Sequence, residues 1–161
     1  MTNTKTKEKI LAIDIGGTHI KTAILDDKGK LLTDYKEVDT FHPATPPKVI
    51  NAIKSLVKGL PSFDKVAVGF PGYVKAGVIC TAPNLDNKSW QNFDLSKKLS
   101  EVFGKPTRVI NDADMQGLGV VSGKGLEMLV TLGTGFGTAL LKDGVLLPHL
   151  ELAHHPITKK K

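Results

Sequence analysis

Two stretches of this chain have the same build, and that repetition limits what it can fold into. Residues 9–16, KILAIDIG, form an apolar run that stops at a glycine pair, Gly16 and Gly17, and residues 20–25, IKTAIL, resume it on the far side. Residues 128–132, MLVTL, and 138–142, TALLK, flank a second glycine turn, GTGFG at 133–137. Short apolar runs bounded by glycine read as strands. Each pair is followed by a hairpin turn, DKGK at 27–30 and KDG at 142–144. A third strand is predicted over 30–38, which completes an antiparallel meander. The second meander begins as the first one does, so the chain holds a repeated unit whose second copy is only started.

Between the meanders, helix and strand alternate. Residues 42–47 are a proline-rich linker. A helix over 47–58 puts Val49, Ile53, Leu56 and Val57 on one face. Residues 65–70 read as a strand, Pro71 and Gly72 as its exit, and 74–80 as a short hairpin. Residues 81–92 read as loop, and 94–103 as a helix with Asp94 as N-cap. A fifth strand follows over 107–110, then a small-residue helix over 115–121 that ends at Gly123. This order is mixed α/β, not a dinucleotide fold that alternates from the outset. It divides into one unit over 1–122 and the beginning of a second over 123–161.

Bulk properties narrow the function classes. A chain of 161 residues, 40% hydrophobic and 24% charged, can bury an ordinary core. No apolar run approaches a membrane span, so no membrane partner is expected. The polar, basic residues 1–9 carry no secretory apolar region. A lone cysteine, Cys80, allows no internal disulfide and no Cys-cluster zinc site, which suits a cytoplasmic protein. The net charge of +6 comes from lysines gathered at the two ends. Solvated tails explain it better than a nucleic-acid partner, because no aromatics interleave with the lysines.

Three stretches carry chemistry. In the first turn, Asp14, Gly16, Gly17 and Thr18 combine a carboxylate at a strand end with backbone that can approach a phosphate closely. Asp14 is the candidate Mg²⁺ ligand there. In the second turn, Gly133, Thr134, Gly135 and Gly137 are followed by a strand, so a dinucleotide fingerprint does not fit, and no Walker loop is present. The third stretch is RVINDAD at 108–114, an apolar strand ending in Asn111 and Asp112 on the lip of a helix. An Asp placed there has the fixed direction that a general base needs. The plainer reading is that Asn111 or Asp112 only caps the helix. Lys21 is either a phosphate partner or an exposed strand lysine, and Trp90 reads as core or loop anchor.

Six motifs in register resemble the ROK family of sugar kinases, in particular its glucokinases that use polyphosphate. They are DIGGT (14–18), GFPG (69–72), TAPNLDNKSW (81–90), INDAD (110–114), TLGTGFG (131–137) and ELAHH (151–155). The resemblance implies a ribonuclease H-like, actin-like ATPase fold, with the second domain incomplete. It implies phosphorylation of glucose to glucose 6-phosphate, with polyphosphate or ATP as donor and Mg²⁺ as cofactor. Asp112 matches the base that takes the proton from the primary hydroxyl of the sugar. Asn84, Asn111, Glu151 and His154 match sugar contacts, and the two glycine turns match the phosphate loops.

Relatives in that family continue past the position of Lys161. The resemblance therefore reads this chain as C-terminally truncated, with a second copy or a complementing C-terminal fragment as partner. In zinc-containing relatives the histidine matching His154 joins a cysteine cluster. None exists here, so no zinc is expected. Eight residues before Lys9 are too few for the helix-turn-helix of the family's transcriptional regulators. The competing function is a sugar- or phosphate-binding remnant without turnover.

Overall fold

The computed structural model describes residues 8–133, 135–150 and 152. Strands β1 (Lys9–Ile15) and β2 (His19–Asp26) pair antiparallel across the first glycine turn, in register from Ile15 opposite Ile20 to Lys9 opposite Asp26. Strand β3 (Lys36–Asp39) pairs with β2. It is shorter than the expected 30–38. Before it, the hydroxyl of Thr33 accepts the Ile24 N–H at 3.1 Å, so a side chain replaces the ladder and regular pairing starts only at Lys36.

Helix α1 (Pro46–Val57) starts on the two prolines, whose fixed φ and missing N–H suit a first turn. It buries Val49, Ile50 and Ile53 against the sheet, while Leu56 and Val57 are only half-buried. Strand β4 (Lys65–Phe70) lies parallel to β1. A small antiparallel sheet follows, built from β5 (Val74–Lys75), β6 (Val78–Ile79) and β7 (Phe93–Asp94). Between β6 and β7, one helical turn, α2 (Asn87–Trp90), sits inside the stretch expected to be loop. Burial of Trp90 holds that turn in place. The indole is fully buried between Phe70 and Phe93, and its Nε1–H donates to the Ala44 carbonyl at 2.7 Å.

Helix α3 (Leu95–Phe103) begins at the expected cap, where the Asp94 carboxylate accepts the Lys97 N–H at 2.8 Å. It ends at Gly104, whose φ of 62° is the left-handed stop that glycine provides. Strand β8 (Thr107–Asn111) lies parallel to β4 and completes a five-stranded sheet of order β3-β2-β1-β4-β8. Helix α4 (Asp112–Val120) follows with no loop between, three residues earlier than expected. The reason is the Asn111 side chain, which accepts the N–H groups of Ala113 and Asp114 and caps the helix at once.

A second antiparallel sheet then forms from β9 (Leu126–Leu132), β10 (Phe136–Lys142) and β11 (Val145–Leu146), with β9 at its edge. Its inner face packs on α4, burying Ala139 and Leu141. On its outer face Leu126, Met128, Val130 and Leu132 stay exposed, as the alternation of a half-covered strand requires.

The approach of α4 to this sheet depends on Gly117. A Cβ there would stand 2.8 Å from that of Ala139 and 3.2 Å from Leu141 Cδ1, whereas one on Gly119 meets nothing within 4 Å. Gly117→Val is expected to cost about 1–3 kcal/mol by overpacking. Gly119→Ala should instead stabilise the chain by up to ~1 kcal/mol through helix propensity. Urea denaturation midpoints of the two variants check the contrast.

Candidate active site

The site lies where the open end of the five-stranded sheet meets the second sheet. The first glycine turn is fixed from behind. Gly16 donates its N–H to the His19 carbonyl at 2.8 Å, and its own carbonyl accepts the Thr40 hydroxyl at 2.8 Å. The Gly17 carbonyl is met by His42 Nε2 at 3.2 Å, and the Thr18 carbonyl by the Thr40 N–H at 2.8 Å. With its carbonyls held toward residues 40–42, the turn presents its other side to the cleft.

Asn84 stands between the two glycine turns. A Cβ on Gly17 would lie 3.1 Å from Asn84 Cβ, and one on Gly135 would lie 3.9 Å from Asn84 Nδ2. Glycine at 17 is therefore a packing requirement as well as a turn residue. The second turn is packed onto α4 in the same way, since a Cβ on Gly137 would lie 2.9 Å from that of Ala113.

These pieces enclose a cavity of about 490 Å³. Asp14, Gly16, Gly17, Thr18, Asn84, Asn111, Asp112, Gly133, Gly135 and Gly137 all line it. The fold thus brings together every described residue that the sequence marked, from positions up to 123 apart. Thr134, Glu151 and His154 lie outside the described residues. Lys21 also reaches the cavity wall, but its ammonium is 3.7 Å from Glu37 and 5.8 Å from the centre of the Tyr35 ring. That places it as an exposed, partnered strand lysine. Neither His149 nor Asp114 is marked by sequence reasoning. His149 lines the cavity and pairs with Asp114 at 3.0 Å. A histidine two residues ahead of a motif and the last residue of INDAD carry no spacing that marks them as partners.

Two carboxylates face this space under strain of charge. Burial pushes Asp14 above the ordinary carboxylate value, opposed by the Lys21 ammonium. Burial also raises Asp112, opposed by the Ala113 N–H, which donates to Asp112 Oδ1 at 2.8 Å. The negative charge of Asp14 adds to that rise, and His149 works against it. A helix N-terminus alone would favour the anion. Desolvation outweighs this, so Asp112 is a stronger base than an exposed aspartate. Two repelling, half-buried carboxylates are a charge pattern that a divalent cation would relieve.

The comparisons agree with this architecture. The profile described as ROK family matches residues 10–148. Polyphosphate glucokinase of Mycobacterium tuberculosis (strain ATCC 25618 / H37Rv) is 38% identical over 157 residues, 92% of this chain and 59% of that protein. Glucokinase of Streptomyces coelicolor is 34% identical over 81% of this chain and 43% of its own length. Among solved structures, inorganic polyphosphate/ATP-glucomannokinase from Arthrobacter sp. strain KM superposes with a TM-score of 0.83 at 41% identity. That match covers 93% of this chain and 64% of the other. A ROK family glucokinase from Streptomyces griseus, in complex with glucose and AMPPNP, gives 0.76 at 30% identity, over 86% and 46%. The fold is the mixed α/β, actin-like ATPase type of these sugar kinases. The chain belongs to the ROK family, and it spans a little over half the length of the polyphosphate glucokinases it matches.

The raised pKa of Asp112 has a consequence for stability. Its ordinary value is 3.8, and in the folded state it is higher. Below 3.8 the carboxyl is protonated both folded and unfolded and carries no penalty. As pH rises through the folded value, the native state loses stability. Asp112→Asn, which removes the charge and keeps an acceptor for the Ala113 N–H, should therefore melt above the parent at pH 7. The gap should close as pH is lowered toward 4, and thermal unfolding at a series of pH values checks it.

Proposed function

We propose that this chain is the phosphoryl-transfer half of a glucokinase-type sugar kinase. In this reading it converts glucose to glucose 6-phosphate, with polyphosphate or ATP as donor. The observation that carries it is the convergence of two glycine turns, from two different sheets, on the one aspartate that starts α4. The names of the relatives agree: polyphosphate and ATP stand in one, glucose and a nucleotide analogue in another.

The terminal phosphoryl group of the donor lies between the glycine turns. Backbone N–H groups of Gly17, Thr18 and Gly135 meet its oxygens, while Gly16 and Gly133, whose N–H groups are donated to the His19 and Gly135 carbonyls, serve by their shape. Asn84, between the turns, contacts the sugar, as does the remaining amide hydrogen of Asn111. Glu151 and His154 hold the far side of the sugar. The primary hydroxyl attacks phosphorus, its O–P bond forms, the bond to the donor oxygen breaks, and the hydroxyl proton passes to Asp112. Such a loose transition state is accelerated mainly by positioning and charge neutralisation. A Mg²⁺ ion at Asp14 would neutralise donor phosphate charge when bound. The raised pKa of Asp112 suits a proton acceptor.

A second reading has its own observation. The exposed outer face of β9 is where the chain would meet a second copy or a complementing fragment, with 123–161 as the beginning of a further domain. In that case this chain binds glucose and does not turn it over alone. Formation of glucose 6-phosphate by the purified chain, with Mg²⁺ and each donor supplied separately, decides between the two. Turnover is expected to fall by about 10²–10⁴-fold in Asp112→Asn, the range of a lost general base. An Asp112→Asn variant with parental turnover would remove Asp112 as the base.

A further inference from the structure

Asp114 and His149 are buried titratable groups on the cavity wall that the scheme above does not use. Their side chains are 6% and 8% exposed, with His149 Nδ1 3.0 Å from Asp114 Oδ2. The imidazole also stacks on Tyr73, with ring centres 6.0 Å apart and planes 16° from parallel. A buried ion pair rarely stabilises a fold better than a well-packed apolar pair of the same volume. Stability therefore gives little reason for one here, and its place in the fold gives a better one.

Asp114 is on the first turn of α4, two residues after Asp112. His149 is on the segment that leaves β11, two residues before Glu151. Two ties bind that segment to the second sheet. Leu147 donates its N–H to the Leu140 carbonyl at 2.9 Å, and Leu150 accepts the Thr138 hydroxyl at 2.9 Å. The Asp114 pair and the Tyr73 stack run the other way, to α4 and to the loop after β4. We propose that Asp114 and His149 form a positioning pair, which sets the distance between Asp112 and the segment that leads into the sugar-side residue Glu151. The roles of Asp112 and Glu151 in this statement rest on the sugar-kinase reading. The tie between α4 and residues 147–150 does not. Neither member is a catalytic residue, since each acts by placing another group.

The decisive variant replaces both members by apolar side chains, Asp114→Leu with His149→Phe. It keeps the volume and the ring against Tyr73, and it leaves no buried charge unpaired. It should melt within a few degrees of the parent. Its kcat should nonetheless fall about tenfold or more, since small misplacements of reacting groups are costly, with glucose affinity by calorimetry weakened to a similar degree. Asp114→Asn, which keeps a side-chain oxygen to face Nδ1 at the same reach, should keep kcat within about threefold of the parent, because geometry survives there. A folded double variant with parental kcat and glucose affinity would overturn the proposal. So would an Asp114→Asn chain as impaired as the double variant.

A readout free of activity is amide hydrogen exchange. In Asp114→Ala the Leu147 N–H should exchange about tenfold faster while β1 and β4 stay protected, as local opening predicts. Unchanged exchange at Leu147 would sink the positioning role even in a chain that phosphorylates glucose. A parent chain that neither binds nor phosphorylates glucose would count against the sugar-kinase reading and leave exchange to decide the tie.

Discussion

The side chain of Asn111 is the joint on which the rest of the site depends. It is 7% exposed, and it makes three hydrogen bonds to backbone. Its oxygen accepts from Ala113 and Asp114, which closes the first turn of α4 directly on the end of β8. Its amide donates to the Gly72 carbonyl at 3.1 Å, which ties the exit of β4 to the same point. Leaving buried polar groups unmatched is expensive, so this arrangement admits few alternatives. It removes any loop between strand and helix, and Asp112 inherits a direction fixed by both.

Placement and electrostatics then follow from one another. Because α4 begins at the sheet edge, the second sheet packs on it, and the turn at 133–137 arrives opposite the turn at 16–18. That enclosure withdraws Asp14 and Asp112 from water and raises both. The charge that makes the cleft useful is therefore a charge the fold pays for in stability. The same packing leaves the far face of β9 uncovered, where Leu132 is 82% exposed and Leu126 is 66% exposed. One face of the second sheet is finished by α4, and the other is open among the described residues.

Much of this is legible in the sequence, and the gaps have physical causes. Residues 65–70 are a strand as expected, because an apolar run between polar ends admits little else. Asp94 is the cap of α3, where an acidic residue precedes an amphipathic run. The strand over 30–38 shortens because Thr33 competes with the backbone ladder, which side-chain hydroxyls do unpredictably. The early start of α4 turns on whether Asn111 caps or points away, and both outcomes suit the same letters. The turn at 87–90 is too short to show a period, and it rests on burial of Trp90 and on Asn87, whose side-chain oxygen accepts the Ala82 N–H at 2.6 Å. The glycine turns and Asp112 are visible as motifs, and Asn84 is visible by resemblance. The Asp114 and His149 pair is invisible because it joins residues 35 apart whose types, taken singly, suggest nothing.

The central claim is that one cleft takes a sugar at Asn84 and Asp112 and a phosphate chain at the two glycine turns. The most direct measurement is amide NMR of the full chain, titrated first with glucose and then with tripolyphosphate and Mg²⁺. The account predicts that glucose shifts the signals of Asn84, Asn111 and Asp112. It predicts that tripolyphosphate shifts those of Gly17, Thr18, Gly135 and Gly137, with the α1 and α3 signals unmoved. Shifts confined to the surface lysines, or glucose shifts that bypass Asp112, would contradict it.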